Sequence, residues 1–192
     1  MDSILRRRAR ALSTVALAVA ICGCAEAARG QDYRIDPLAS ELHVLVYRAG
    51  PLARLGHNHV VAAEGVAGRV VRGPALEGST VEIVVPVERL RVDAPPLRER
   101  YGRAFARMPS EADVAGTTTN MLGQALLDAA AHPQIRVAGV LRRGPDGGYA
   151  VDTDIGVKSA VWHGSIPVEL EIADDVLIAR GSAEITHRAL GL

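Results

Sequence analysis

From Asp32 onward the apolar residues recur mostly at every second position, which is the period of an extended strand with one buried face and one wet face. In Tyr149 to Lys158 the positions Tyr149, Val151, Thr153, Ile155 and Val157 fall on one side and Asp152, Asp154 and Lys158 on the other. Ser165 to Ile172 repeats the pattern, with Ile166, Val168, Leu170 and Ile172 opposed by Glu169 and Glu171. Thr80 to Val87 does so through Val81, Ile83, Val85 and Val87. Further strands are predicted near Glu41 to Arg48, His59 to Val71, Gln134 to Arg142 and Val176 to Thr186. Pro145-Asp146-Gly147-Gly148 is a hairpin signal, and Arg72-Gly73-Pro74 and Glu77-Gly78-Ser79 also break the chain, so consecutive strands meander antiparallel.

The middle of the chain departs from this period. A helical excursion is predicted around residues 97–131: Pro109-Ser110 opens a stretch that places Met121, Leu122, Ala125, Leu126 and Ala129 on one helical face, and Pro133 ends it. The pattern therefore predicts an all-β fold with a minor helix, as a barrel or a sandwich, in one domain from residue 32 to 192. A barrel of about eight strands is just wide enough to hold one small ligand. Glu41 to Arg48 fits either of two placements. Leu42, Val44 and Val46 face one way and Leu45 and Tyr47 the other, as in a strand between an apolar lumen and outer packing, or in one buried between core and helix.

The first residues read differently. Arg6, Arg7, Arg8 and Arg10 precede an apolar run from Ala11 to about Ile21 and small residues ending in Cys24-Ala25-Glu26-Ala27, the order of a secretory signal in residues 1–27. The run is far short of the roughly 20 apolar residues of a membrane-spanning helix. Ala25-Glu26-Ala27 fits cleavage to a soluble periplasmic protein; Ile21-Cys22-Gly23-Cys24 resembles a lipobox, with a lipoprotein acylated at Cys24 as the alternative. Both cysteines, Cys22 and Cys24, lie in this segment, so the domain beyond it is expected to hold without a disulfide.

Composition narrows the function. Across 192 residues, 22 basic side chains balance 22 acidic ones, and aromatic residues make up 3%, which argues against a nucleic-acid surface or a stacking platform. No Gly-x-Ser-x-Gly elbow and no phosphate loop with its lysine is present. Asp152, Asp154, Glu169, Glu171, Asp174 and Asp175 alternate or cluster in a turn as solvated groups do. Arg89, Arg91, Arg98, Arg100, Arg103 and Arg107 read as a solvated face or as a rim for an anionic headgroup. His57-Asn58-His59 is the conspicuous polar cluster. On a strand His57 and His59 share a face and form a candidate metal pair, with His163 as a third ligand if the fold supplies it; the competing reading is a packed, hydrogen-bonded pair.

Tyr33-Arg34-Ile35-Asp36-Pro37 with Ser40, Leu42 and Val44 resembles the opening strand of the YceI-like family. The likeness runs on through Arg48 to His59, Val84-Val85-Pro86-Val87, Leu127-Asp128-Ala129, His132-Pro133-Gln134-Ile135 and His163-Gly164-Ser165-Ile166-Pro167-Val168. The resemblance implies a periplasmic, lipocalin-like antiparallel barrel that holds a polyisoprenoid or similar amphiphilic lipid. It implies no enzyme activity, no required cofactor and no nucleic acid, with transient membrane contact and a homodimer as further expectations. Candidate lumen residues are Leu42, Val44, Val46, Val85, Met121, Leu122, Leu126 and Trp162. Two departures from the family stand out: the Leu55 to His59 region, and an end at Ala189-Leu190-Gly191-Leu192 where members continue through another strand. The second implies a truncated barrel with an open seam, closed by another chain or left as an edge for a partner's strand.

Overall fold

The computed structural model describes residues 32–48, 56–144 and 146–192, together with the backbone of residues 13–22. The described strands are β1 (Ser13–Cys22), β2 (Asp32–Ile35), β3 (Glu41–Val46), β4 (His59–Ala63), β5 (Ala67–Val71) and β6 (Thr80–Pro86). They continue with β7 (Leu90–Val92), β8 (Gln134–Arg143), β9 (Tyr149–Val157), β10 (Ala160–Ala173) and β11 (Val176–Ile185). Two α-helices, α1 (Pro95–Arg100) and α2 (Glu111–Leu122), lie between β7 and β8. Every strand pairing is antiparallel, as short turns between alternating segments require.

Seven strands run β11-β10-β9-β8-β6-β5-β2, and three more run β3-β4-β7. The backbone of β1 joins the two groups. One edge pairs with β11 along its whole length; the other pairs with β3 from Ser13 to Ala18 and with β2 at Ile21 and Cys22. The ladder thus returns on itself through β1, and the sheet curls into the barrel that the strand count suggested.

The predicted strand from His59 to Val71 is broken. Glu64, Gly65 and Val66 separate β4 from β5, and Gly65 has φ +66°, a left-handed backbone that suits glycine. The chain bends there to leave β3 and join β2. The partner segments bend at the same level, at Asp36–Ser40 and at the 3-10 turn Val87–Arg89, and the Glu64 amide donates to the Arg89 carbonyl at 3.1 Å across the corner. The helical expectation also shortens. Ser110 caps α2 in a reciprocal capping box with Asp113, but the helix stops at Leu122, where Gly123 takes an extended backbone. Ala125, Leu126 and Ala129 therefore lie in turns, not on a helical face.

Two apolar clusters organise the packing. The larger joins Tyr33, Ile35, Leu42, Val61, Ile83, Val85, Val157 and Leu177 from both groups of strands. The smaller joins Leu45, Val60, Leu97 and Phe105, with Tyr47 and Tyr101 against it. Both readings of β3 hold at once: Leu42, Val44 and Val46 belong to the larger cluster, while Leu45 and Tyr47 lie under α1 and the following 3-10 turn, Gly102–Phe105. Sheet contact is tightest at Gly68, where a Cβ would sit 2.2 Å from the Glu82 carbonyl and 2.9 Å from Ile35 Cδ1. Gly68→Ala must push β5 away from β6, and a loss of about 1–3 kcal/mol is expected in urea denaturation. An unchanged midpoint would mean that this contact is slack.

Candidate ligand site

Alternation along the barrel strands places their aliphatic side chains on the concave face, and two partly open apolar cavities result. The first, about 190 Å³, is walled by Leu42, Val44, Val85, Val137, Ile155 and Val157, with further residues from the ends of the sheet. Met121, Leu126 and Leu127 close it from the α2 side, and His187, Leu190 and Leu192 from the 3-10 turn after β11. The second, about 100 Å³, is walled by Val70, Val81, Ile83, Leu141, Val151, Ile166, Val168 and Leu177, with Leu76 and Ser79 from the turn before β6. Val137 touches both cavities. These walls offer dispersion and exclusion of water but almost no polar group to orient a ligand, so they suit an aliphatic chain.

Of the lumen residues expected from sequence, Leu42, Val44, Val85, Met121 and Leu126 line the first cavity. Val46 and Leu122 pack against the same core without lining it. Trp162, half-buried on β10, is absent from both walls; its ring lies over Gly164, where a Cβ would come within 2.2 Å of it. The sequence reading passed over Val61, Ile135, Val137, Ile155, Val157 and Ile185, which share the first wall. Their signal was the strand alternation itself. What alternation lacked was which face of each strand turns inward.

A larger concavity, about 660 Å³, is an open polar groove, lined among others by Glu41, His43, Arg100, Tyr101 and Arg180. Both of its arginines are engaged: Arg100 makes two bonds to Glu41, at 3.0 and 2.9 Å, and Arg180 reaches Glu171 at 2.6 Å. The Arg100 hydrogen bond holds Glu41 below its ordinary pKa. Burial lowers the His43 pKa and raises that of Tyr101, and His43 Nδ1 shares a hydrogen bond of 2.8 Å with the Tyr101 hydroxyl, a contact that tethers β3 to the end of α1.

The His57-Asn58-His59 cluster forms a structural clasp. His59 Nδ1 donates to Asp93 Oδ2 at 2.6 Å, and the Val60 amide donates to Asp93 Oδ1 at 2.9 Å. Arg98 pairs with the same carboxylate, and its guanidinium also donates to the carbonyls of Asn58 at 2.9 Å and Arg107 at 2.7 Å. Asn58 accepts from the Arg48 amide and donates to the Ala104 carbonyl, both at 2.9 Å. His163 is held elsewhere, by Asp154 at 2.6 Å across the β9–β10 pair. The proposed trio of metal ligands is therefore not brought together, and among the described residues no group of three or more His, Cys, Asp or Glu side chains is placed to hold a metal ion.

Arg98 overturns its reading as a solvated cation: its side chain is 2% exposed, and that of Asp93 is 0% exposed. Burial alone would push the Asp93 carboxyl up, but the hydrogen bonds from His59, the Val60 amide and Arg98 outweigh it and hold its pKa below the ordinary value. By contrast Asp152, Asp154, Glu169, Glu171, Asp174 and Asp175 are all exposed, as their alternation implied.

No family model matches the sequence, and no curated protein matches it. Among solved structures, the crystal structure of Burkholderia cenocepacia BcnA is similar at 11% identity and a TM-score of 0.46, over 91% of this chain and 96% of that chain.

Proposed function

We propose that the protein is a non-enzymatic periplasmic binding protein that takes the aliphatic chain of a polyisoprenoid or similar amphiphilic lipid into its barrel. The observation that carries this reading is the pair of apolar cavities that share Val137 as a wall residue. Neither reaches the roughly 300 Å³ at which drug-sized ligand pockets begin, although an apolar cavity of about 150 Å³ already accepts a small hydrocarbon. A long chain must therefore run through both, past Val137. Binding comes from apolar area removed from water, at roughly 25 cal/mol per Å², less the cost of ordering the chain. The non-enzymatic part rests on where the ionisable groups are: Asp93, His59 and Arg98 are bound to one another in the clasp, and the lumen walls are aliphatic.

Native mass spectrometry of untagged protein is expected to show a bound species of several hundred daltons that extracts into organic solvent. Val137→Trp puts an indole at the junction of the two cavities, and at least a tenfold fall in occupancy is expected while the unfolding midpoint stays near that of the parent. Bare parent protein, or a folded Val137→Trp variant that keeps its load, counts against the lumen as the site.

A further inference from the structure

The gap between β3 and β11 holds ten residues that also have the pattern of a discarded leader. Across that gap β1 pairs residue for residue with β11, from Ser13 opposite Ile185 to Cys22 opposite Val176, and with β3 from Ser13 opposite Val46 to Ala18 opposite Glu41. The register is matched to the barrel. Directly opposed residues of an antiparallel pair share a face. Leu17 stands between Leu42 and Gly181, Val15 between Val44 and Ala183, and Ile21 opposite Leu177. Leu42, Val44, Leu177 and Gly181 all wall the two cavities, so Val15, Leu17 and Ile21 stand at register positions opposite cavity-wall residues. The alanines alternate with them in register: Ala16 lies between His43 and Ser182, and Ala18 between Glu41 and Arg180. A one-residue slip would exchange the two sets, so the alternation Val-Ala-Leu-Ala-Val-Ala-Ile specifies this register.

We propose that the β3–β11 seam is a strand-acceptor site and that its occupant is the chain's own Ser13–Cys22, which closes the barrel in the unprocessed protein. A cut at residues 24–27 would remove that strand and expose both edges, so retention and export processing are mutually exclusive uses of one segment.

Cys22 supplies the test. Opposed Cα atoms in an antiparallel pair lie about 4.5–5.5 Å apart, within the span of a disulfide. The full chain carrying Cys24→Ser and Val176→Cys, made in the cytoplasm so that the leader stays, is expected to form one intramolecular bridge to Cys22 under mild oxidation. The matching Leu177→Cys variant, whose side chain lies on the opposite face, is expected to stay unbridged. Independently, Ala18→Pro in the full chain removes a backbone donor from the seam. Its expected signature is loss of amide-exchange protection in β3 and β11 with protection kept in β8 and β9. Cooperatively folded protein with no bridge, equal bridging at both positions, bridges only between molecules, or unaltered protection in Ala18→Pro overturns the proposal.

Discussion

Replacing Arg98 by methionine is expected to cost about 3–5 kcal/mol of folding stability, because it leaves the Asp93 carboxylate buried without its guanidinium partner. The loss is larger than for an exposed pair such as Arg69 with Glu82, where solvent screening leaves about 0–1 kcal/mol. Removing the charge as well, in Asp93→Asn with Arg98→Met, is expected to restore much of it, since no uncompensated carboxylate then remains. The pair also sets an acid dependence. The folded pKa of Asp93 is depressed, so its contribution is present above the unfolded carboxylate value near ~3.9 and is lost as the pH falls through the folded value. Arg98→Met lifts that folded value toward or above the unfolded one, so the deficit of the variant relative to the parent should be largest near neutral pH and shrink as the pH falls through the carboxylate range. Urea midpoints measured from pH 3 to 8 check both effects; a single-variant loss below about 1 kcal/mol would show that Asp93 is satisfied without Arg98.

Phe105→Ala is expected to be comparably severe, at about 3–5 kcal/mol. Phe105 is 1% exposed and packs edge-on against Tyr47 at 5.3 Å and Tyr101 at 6.0 Å between ring centroids, with the Arg98 guanidinium 5.9 Å from its ring. It seats the cover formed by α1 and the 3-10 turn on the outer face of β3, whose inner face walls the lumen. Denaturation followed by the fluorescence of Trp162, the one tryptophan of the chain, reports from β10, away from this cover. A shift of the Trp162 transition shows that cover and barrel unfold together; a transition left in place shows that the cover detaches by itself.

The strand rows were legible because period-two alternation is local: the strands Tyr149–Val157 and Thr80–Pro86 follow their patterns to within a residue, Val87 already opening a 3-10 turn. The Asp146-Gly147-Gly148 signal likewise lies at the β8–β9 turn, with Arg143 opposite Tyr149. Features that depend on distant partners were harder to read. Arg98 looks like any surface arginine until the fold brings Asp93, five residues earlier at φ +57°, beneath it. The same holds for His59, whose partner Asp93 is 34 residues further along the chain. Leu42, Val44 and Val85 line a cavity as expected, but Trp162 does not, and its ring lies over Gly164 outside the cavity walls. Residues 13–22 satisfy two patterns at once, a leader's apolar run and a barrel strand's alternation, and only pairing with β3 and β11 distinguishes the second.

The closing strand also has a kinetic side. Pairs such as β8 with β9 form between neighbours along the chain, whereas β1 with β11 brings together the first and last strands of the described fold. Loop-closure entropy makes such a pairing late and slow. During synthesis the hairpins of the middle therefore assemble first, while residues 13–22 stay unpaired until β11 has emerged. For that interval the two edges that β1 joins stay open, and the time needed to make the rest of the chain decides how long they do.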